Sequence, residues 1–240
     1  AFNWFNRHLK GEEGPITVAA VKLFEPEQLK VFNELPADSI NADVQETFTQ
    51  LADDKSKPSQ KTVELLRTKT FRGWPAKENS LNAKRAFSTE YEGVVFEAID
   101  FDSQEHIRLR AYIAYRKGLE KPSRVDVEVL NEEYWNKYLK LGRPAFADVW
   151  GEELKLAKIK ADAPVTDKEQ QAIEKRMAGV RKGDVVFVAF MPRGFGLSAM
   201  TQDERHITHS RRRFMLLGQT LAGMQVWDVR RCVRLVQDLG

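Results

Sequence analysis

Cysteine is almost absent from this 240-residue chain: Cys232 stands alone. An internal disulfide is therefore excluded, although one thiol does not fix a compartment. Long apolar runs are absent too. No stretch reaches the roughly eighteen residues a membrane-spanning helix needs, so no membrane partner is expected. Charge imbalance is small, with 38 Lys and Arg against 35 Asp and Glu, a net +3. A nucleic-acid partner usually requires a strong basic patch, and this balance gives no reason to expect one. Nothing resembling an initiator methionine, a signal peptide or an N-cap precedes the opening A-F-N-W-F-N-R-H-L-K. Phe2, Phe5 and Leu9 already recur there at helical spacing, so the chain is expected to be a piece of something longer.

What is present is an ordinary globular balance, 42% hydrophobic and 30% charged, enough for one large domain or parts of two. After the first helix, Gly11-Glu-Glu-Gly14-Pro15 is a stop. T-V-A-A-V-K-L-F (17–24) has strand character, 38–51 reads as a short helix, 53–59 as a solvated linker and 60–69 as a second helix. F-R-G-W-P (71–75) breaks the chain again. Strand patterns then follow at 93–102, 107–116 and 124–130. In the second, Ile107, Leu109, Ala111, Ile113 and Tyr115 alternate with Arg108, Arg110 and Tyr112. Pro164-Val-Thr-Asp leads into a helix over 167–179. V-V-F-V-A-F (185–190) is a continuous apolar run, the pattern of a strand buried on both faces of a mostly parallel sheet. In the last helix Val226, Val229, Val233 and Val236 form an apolar stripe, with Arg230, Arg231 and Arg234 off it and Gly240 placed for a C-cap.

The stretch V-V-F-V-A-F-M-P-R-G-F-G-L-S-A (185–199) resembles the fourth-strand region of α/β hydrolases, where a strand runs into D-x-R-G-x-G-x-S. Met191 stands in the Asp position, and Arg193, Gly194, Gly196 and Ser198 fit the rest. The block R-R-R-F-M-L-L-G-Q-T-L-A-G-M-Q-V-W-D-V-R-R-C-V-R-L-V (211–236) resembles the segment before the nucleophile strand in bacterial acetylxylan esterase-like and prolyl-oligopeptidase-like hydrolases. The opening A-F-N-W-F-N-R-H-L-K-G is similar to the last helix of such a domain. The resemblance implies an α/β chain holding a partial α/β-hydrolase fold with a mostly parallel sheet. Residues 1–11 would be the C-terminal helix of a preceding hydrolase domain, 12–90 a connecting region with short helices and strands, and 91–240 the N-terminal half of a second domain. It also implies an exported or periplasmic bacterial serine esterase acting on acetyl esters, with a carbohydrate ester as the possible substrate. No cofactor is implied, and the partners would be the missing halves of the parent domains.

Ester hydrolysis by this fold needs an elbow serine in G-x-S-x-G, a histidine, an acid and two oxyanion N–H donors. The nearest match, Gly196-Leu197-Ser198-Ala199-Met200, fails at its last position, so Ser198 reads as a turn residue. No catalytic residue is therefore assigned within this chain; nucleophile, acid and histidine are expected outside it. The glycine turn Arg193, Gly194, Gly196 and Ser198 becomes a rim element, with Arg193 bracing neighbouring loops by bidentate hydrogen bonds. Leu130, Asn131 and Glu132 occupy the oxyanion-loop position. Their run, L-N-E-E-Y-W, puts acids where a developing oxyanion would be repelled. The alternative is thus a degenerate, non-catalytic domain that scaffolds or gates a catalytic partner. His206 and His209 lack a third ligand, so no metal site is expected and a polar helix entry is favoured. Arg211 to Arg213 with Arg230, Arg231 and Arg234 read as a solvated face paired with acids such as Asp228. Trp135, Trp150, Tyr134 and Tyr138 read as packing on the sheet rather than stacking on sugar rings, and Cys232 as a small buried apolar residue.

Overall fold

The structure, a computed structural model, describes residues 2–14, 16, 23–40, 43, 44, 46, 59–200 and 203–239. The chain divides into two compact units, Ala1–Lys57 and Pro58–Gly240. In the first, helix α1 (Phe2–Phe5) runs on as a π-helical turn, Asn6–Lys10, and stops at Gly11, whose φ of 70° is left-handed. None of these helical residues is buried. A 3-10 turn, Pro26–Leu29, is closed by reciprocal hydrogen bonds between Glu25 and Gln28. The strand expected over 17–24, the helix over 38–51 and the linker over 53–59 lie mostly outside the described residues, as does Gly240.

The second unit opens with α2 (Gln60–Leu65), capped by Ser59 and continued by a π-helical turn, Leu66–Thr70. Its centre is a five-stranded sheet of β1 (Lys84–Tyr91), β2 (Val94–Gln104), β3 (Ile107–Arg116), β4 (Arg124–Val129) and β5 (Val185–Phe190). The order is β1-β2-β3-β5-β4. The strands β1, β2, β3 and β5 pair antiparallel in turn, and only β4 and β5 run parallel. The expectation of a mostly parallel sheet is therefore corrected: the sheet is mixed and mostly antiparallel. The cause is the connections. Glu92 and Gly93, at φ 46° and 77°, form a two-residue hairpin turn, and Glu105-His106 forms another. Links that short join only antiparallel neighbours. A crossover long enough for a parallel pair occurs once, between β4 and β5, and carries α3 (Glu132–Phe146), α4 (Gly151–Leu156) and α5 (Asp167–Lys182). The apolar run of β5 signals burial on two faces; strand direction does not enter that signal. The first strand, Lys84–Tyr91, falls within residues read from sequence as connecting region, because its half-exposed K-R-A-F-S-T-E-Y carries little apolar signal.

Both faces of the sheet are covered. On one, Phe96, Ala98, Tyr112 and Ala189 meet Trp135, Phe146, Trp150 and Ile173 of the crossover helices. On the other, Phe101, Leu109, Ile113 and Phe190 meet Cys232 and Leu235 of α7 (Leu221–Leu239). The alternation expected in β3 is present: its odd-numbered residues join the α7 layer while Tyr112 joins the crossover layer. Trp135 and Trp150 are packed as expected, and Tyr134 remains exposed. The last helix departs from its reading. Val226 and Val233 are exposed, whereas Met224, Trp227, Asp228, Arg231, Cys232 and Leu235 are buried. The helix thus lays a charged face on the sheet and leaves part of its valine stripe outward.

Candidate functional site

The carboxyl ends of the parallel pair β4 and β5 are where open α/β sheets place ligands. Leu130 follows β4, is buried, and donates its N–H to the Phe190 carbonyl at 2.8 Å, so the two strand ends leave the sheet together. Asn131 caps α3 by accepting the Tyr134 N–H at 2.9 Å. That fixes Glu132 as the first helical residue. After β5 the chain turns through Gly194 and Gly196, at φ 90° and 51°. A side chain at Gly196 would also collide with Met191, its Cβ falling 1.6 Å from the Met191 methyl. Gly194 donates to the Ser198 carbonyl at 3.2 Å, and the Ser198 hydroxyl donates to the Phe195 carbonyl at 2.9 Å.

The two loops meet. The Gly196 N–H donates to Glu132 Oε2 at 3.3 Å. Beside this contact lies a cleft of about 490 Å³, walled by Glu132, Gly194 and Phe195 on one side and by Ile207, Arg211 and Met215 of α6 (Glu204–Leu216) on the other. A smaller recess of about 210 Å³ on the far side of the turn holds Met191, Ser198, Arg108 and Arg110. There Arg110 binds Asp100 at 2.6 Å and Glu153 at 2.9 Å, and the buried Tyr112 hydroxyl donates to Glu153 at 2.8 Å. Burial, reinforced by the Glu153 charge, pushes the Tyr112 hydroxyl pKa far up.

Arg193 points away from the cleft. Its backbone N–H and its Nε donate to Asp228 Oδ2, each at 2.9 Å, and Nη2 donates to Oδ1 at 2.7 Å. Ser103 donates its hydroxyl to the same carboxylate at 2.5 Å. Ser103 sits at the register shift of β2 between Asp102 and Gln104, and such a bulge turns a residue out of the ladder. Its carbonyl is then free to accept from Trp227 Nε1 at 3.0 Å and Arg231 Nε at 3.1 Å. Arg231 continues to Glu78 at 3.1 Å. Asp228 is 0% exposed and Arg231 2%. The solvated face expected for both is corrected: a buried network satisfies them. Arg193 makes the bidentate brace, and the brace joins the glycine turn to α7. The only cue in the sequence was W-D-V-R-R-C, opposite charges embedded between Trp227 and Cys232.

The remaining candidates stay apart. Ser198 gives its proton to a backbone carbonyl, and among the described residues no histidine hydrogen-bonds to it. His206 pairs with Asp203 at the start of α6. Among the described residues, no group of three His, Cys, Asp or Glu side chains is gathered in a way that would hold a metal ion. Cys232 is buried, and burial pushes its thiol up to about 12, so it is no nucleophile at neutral pH.

No family model matches the chain. No curated protein matches it either. Among solved structures, the chain is similar to a proposed acetyl xylan esterase from Bacteroides fragilis NCTC 9343, at 15% identity and a TM-score of 0.43. The match covers 79% of this chain and 53% of that one, so the chain spans about half the length of that structure.

Proposed function

We propose that these residues form the non-catalytic part of a hydrolase-type α/β protein, a domain that binds or gates beside catalytic groups carried elsewhere. The observation behind this reading is Glu132. A carboxylate occupies the N–H of the glycine turn at the carboxyl end of the parallel strands. Acyl transfer requires donors there for a developing negative charge, and a fixed carboxylate opposes that charge. The wider reading rests on the resemblance of 185–199 and 211–236 to acetylxylan esterase-like sequences. In it the parent protein is an exported bacterial esterase of carbohydrate acetyl esters, completed by the missing halves of its domains.

The test uses the chain itself. Hydrolysis of p-nitrophenyl acetate should not exceed that of the buffer, and Ser198→Ala should change nothing. Titration with acetylated xylo-oligosaccharides should shift the amide resonances of Gly194 and Gly196. Turnover that vanishes in Ser198→Ala would mean the chain is catalytic. Unmoved glycine resonances would remove the binding role.

A further inference from the structure

Helix α6 lies on the surface of the second unit. None of its 13 residues is buried. One face, Ile207, Arg211 and Met215, lines the cleft described above. A different face, set by i, i+4, i+7 spacing, carries Arg205, His209 and Arg212, with Arg213 beside them. Many arginines elsewhere in the unit are paired, among them Arg110 with Asp100, Arg116 with Asp184, Arg181 with Glu92, Arg193 with Asp228 and Arg231 with Glu78. No ion pair holds Arg205, Arg211, Arg212 or Arg213 among the described residues. Four arginines against Glu204 give the helix a net charge of +3, equal to that of the whole chain.

The helix ends in an apolar tip. Met215, Leu216 and Leu217 are 63%, 86% and 75% exposed, and Gly218, at φ 71°, reverses the chain directly after them. Unpaired arginines would suit any polyanion. Contiguous exposed leucines would gain nothing from a nucleic acid, which offers no apolar depth. A bilayer bearing anionic headgroups rewards both features, charge at the surface and apolar side chains just beneath it.

We infer that α6 is a peripheral membrane contact, with Arg205, Arg212 and Arg213 on anionic headgroups and Leu216 and Leu217 inserted between acyl chains. The expectation of no membrane partner was argued from the lack of a spanning run; no described helix is long and apolar enough to cross a membrane. Surface docking is a different mode and needs no such span.

Co-sedimentation with vesicles tests this. The chain should bind phosphatidylcholine vesicles containing about one-third phosphatidylglycerol, bind pure phosphatidylcholine weakly, and release as salt rises. The double variant Arg212→Glu/Arg213→Glu should lower the partition coefficient at least tenfold, and Leu216→Ser/Leu217→Ser should do the same. All four positions are exposed, so the thermal melts of both variants should match the parent's and exclude misfolding as the cause. Absence of binding to anionic vesicles would overturn the inference. So would binding that is indifferent to the leucines, which would point to a purely electrostatic partner such as a nucleic acid or an acidic protein.

Discussion

Asp228 accepts four hydrogen bonds while fully buried, three from Arg193 and one from Ser103. An ionised carboxylate without partners would be too costly to bury, so Asp228 and Arg193 depend on one another. Removing one side leaves the other charged and dry. Asp228→Asn keeps the shape but removes the charge opposite Arg193. It should cost about 3 kcal/mol or more, read as a lowered urea midpoint. It should also raise the hydrogen-exchange rate of the glycine turn, because Arg193 ties that turn to α7 less firmly, leaving Gln225 as the remaining full link. Arg193→Met should be milder per atom lost if Asp228 is changed to Leu at the same time, which a double-mutant cycle would reveal. Little of this was legible in the sequence. Arg193 was recognisable as a brace from its place in a glycine turn. Its partner was not, since 35 residues separate them and helical periodicity assigned Asp228 to solvent.

Elements were easier to read than faces. The spans of β3 and β5 follow from alternation and from a bounded apolar run, and α5 starts at the expected entry Pro164-Val-Thr-Asp, where Thr166 makes reciprocal bonds with Glu169. Faces depend on what lies opposite. In α7 the valine stripe and the buried stripe are both plausible apolar faces, and the sheet selects the one whose charges meet Ser103 and Arg193. In α3 the decisive position is Gly142, which by propensity alone should be improved by alanine. Its Cβ would lie 2.3 Å from the Trp150 ring, which is itself 1% exposed among Phe96, Phe146 and Tyr138. Gly142→Ala should therefore destabilise the second unit by about 1–3 kcal/mol. A melt at least as stable as the parent's would show that the ring yields at no cost. No sequence pattern marks this glycine, because the contact joins two elements across a turn.

Across the second unit, both layers bury neutral acids. Tyr112 lies in the crossover layer and Cys232 in the α7 layer. Burial raises both, Cys232 to about 12, while the unfolded thiol and phenol titrate near 9 and 10. Their folded forms hold protons that the unfolded chain releases, so stability is full below about pH 9 and falls as pH rises toward 12. Thermal melts between those limits should show the decline, and Cys232→Val should flatten its lower part. At pH 8 a thiol reagent should label Cys232 only after denaturant is added. The amino-acid sequence by itself determined most of the strands and helices in this unit, though not β1, and marked β5 for burial on both faces, because periodicity and turn chemistry act over a few residues. Tertiary structure alone decided that β5 lies between β3 and β4, the buried side of α7 and the meeting of Glu132 with Gly196. Each of these joins groups distant in the chain, and the energy that selects them, burial of charge against its partner and of rings against a missing Cβ, exists only once the layers have closed.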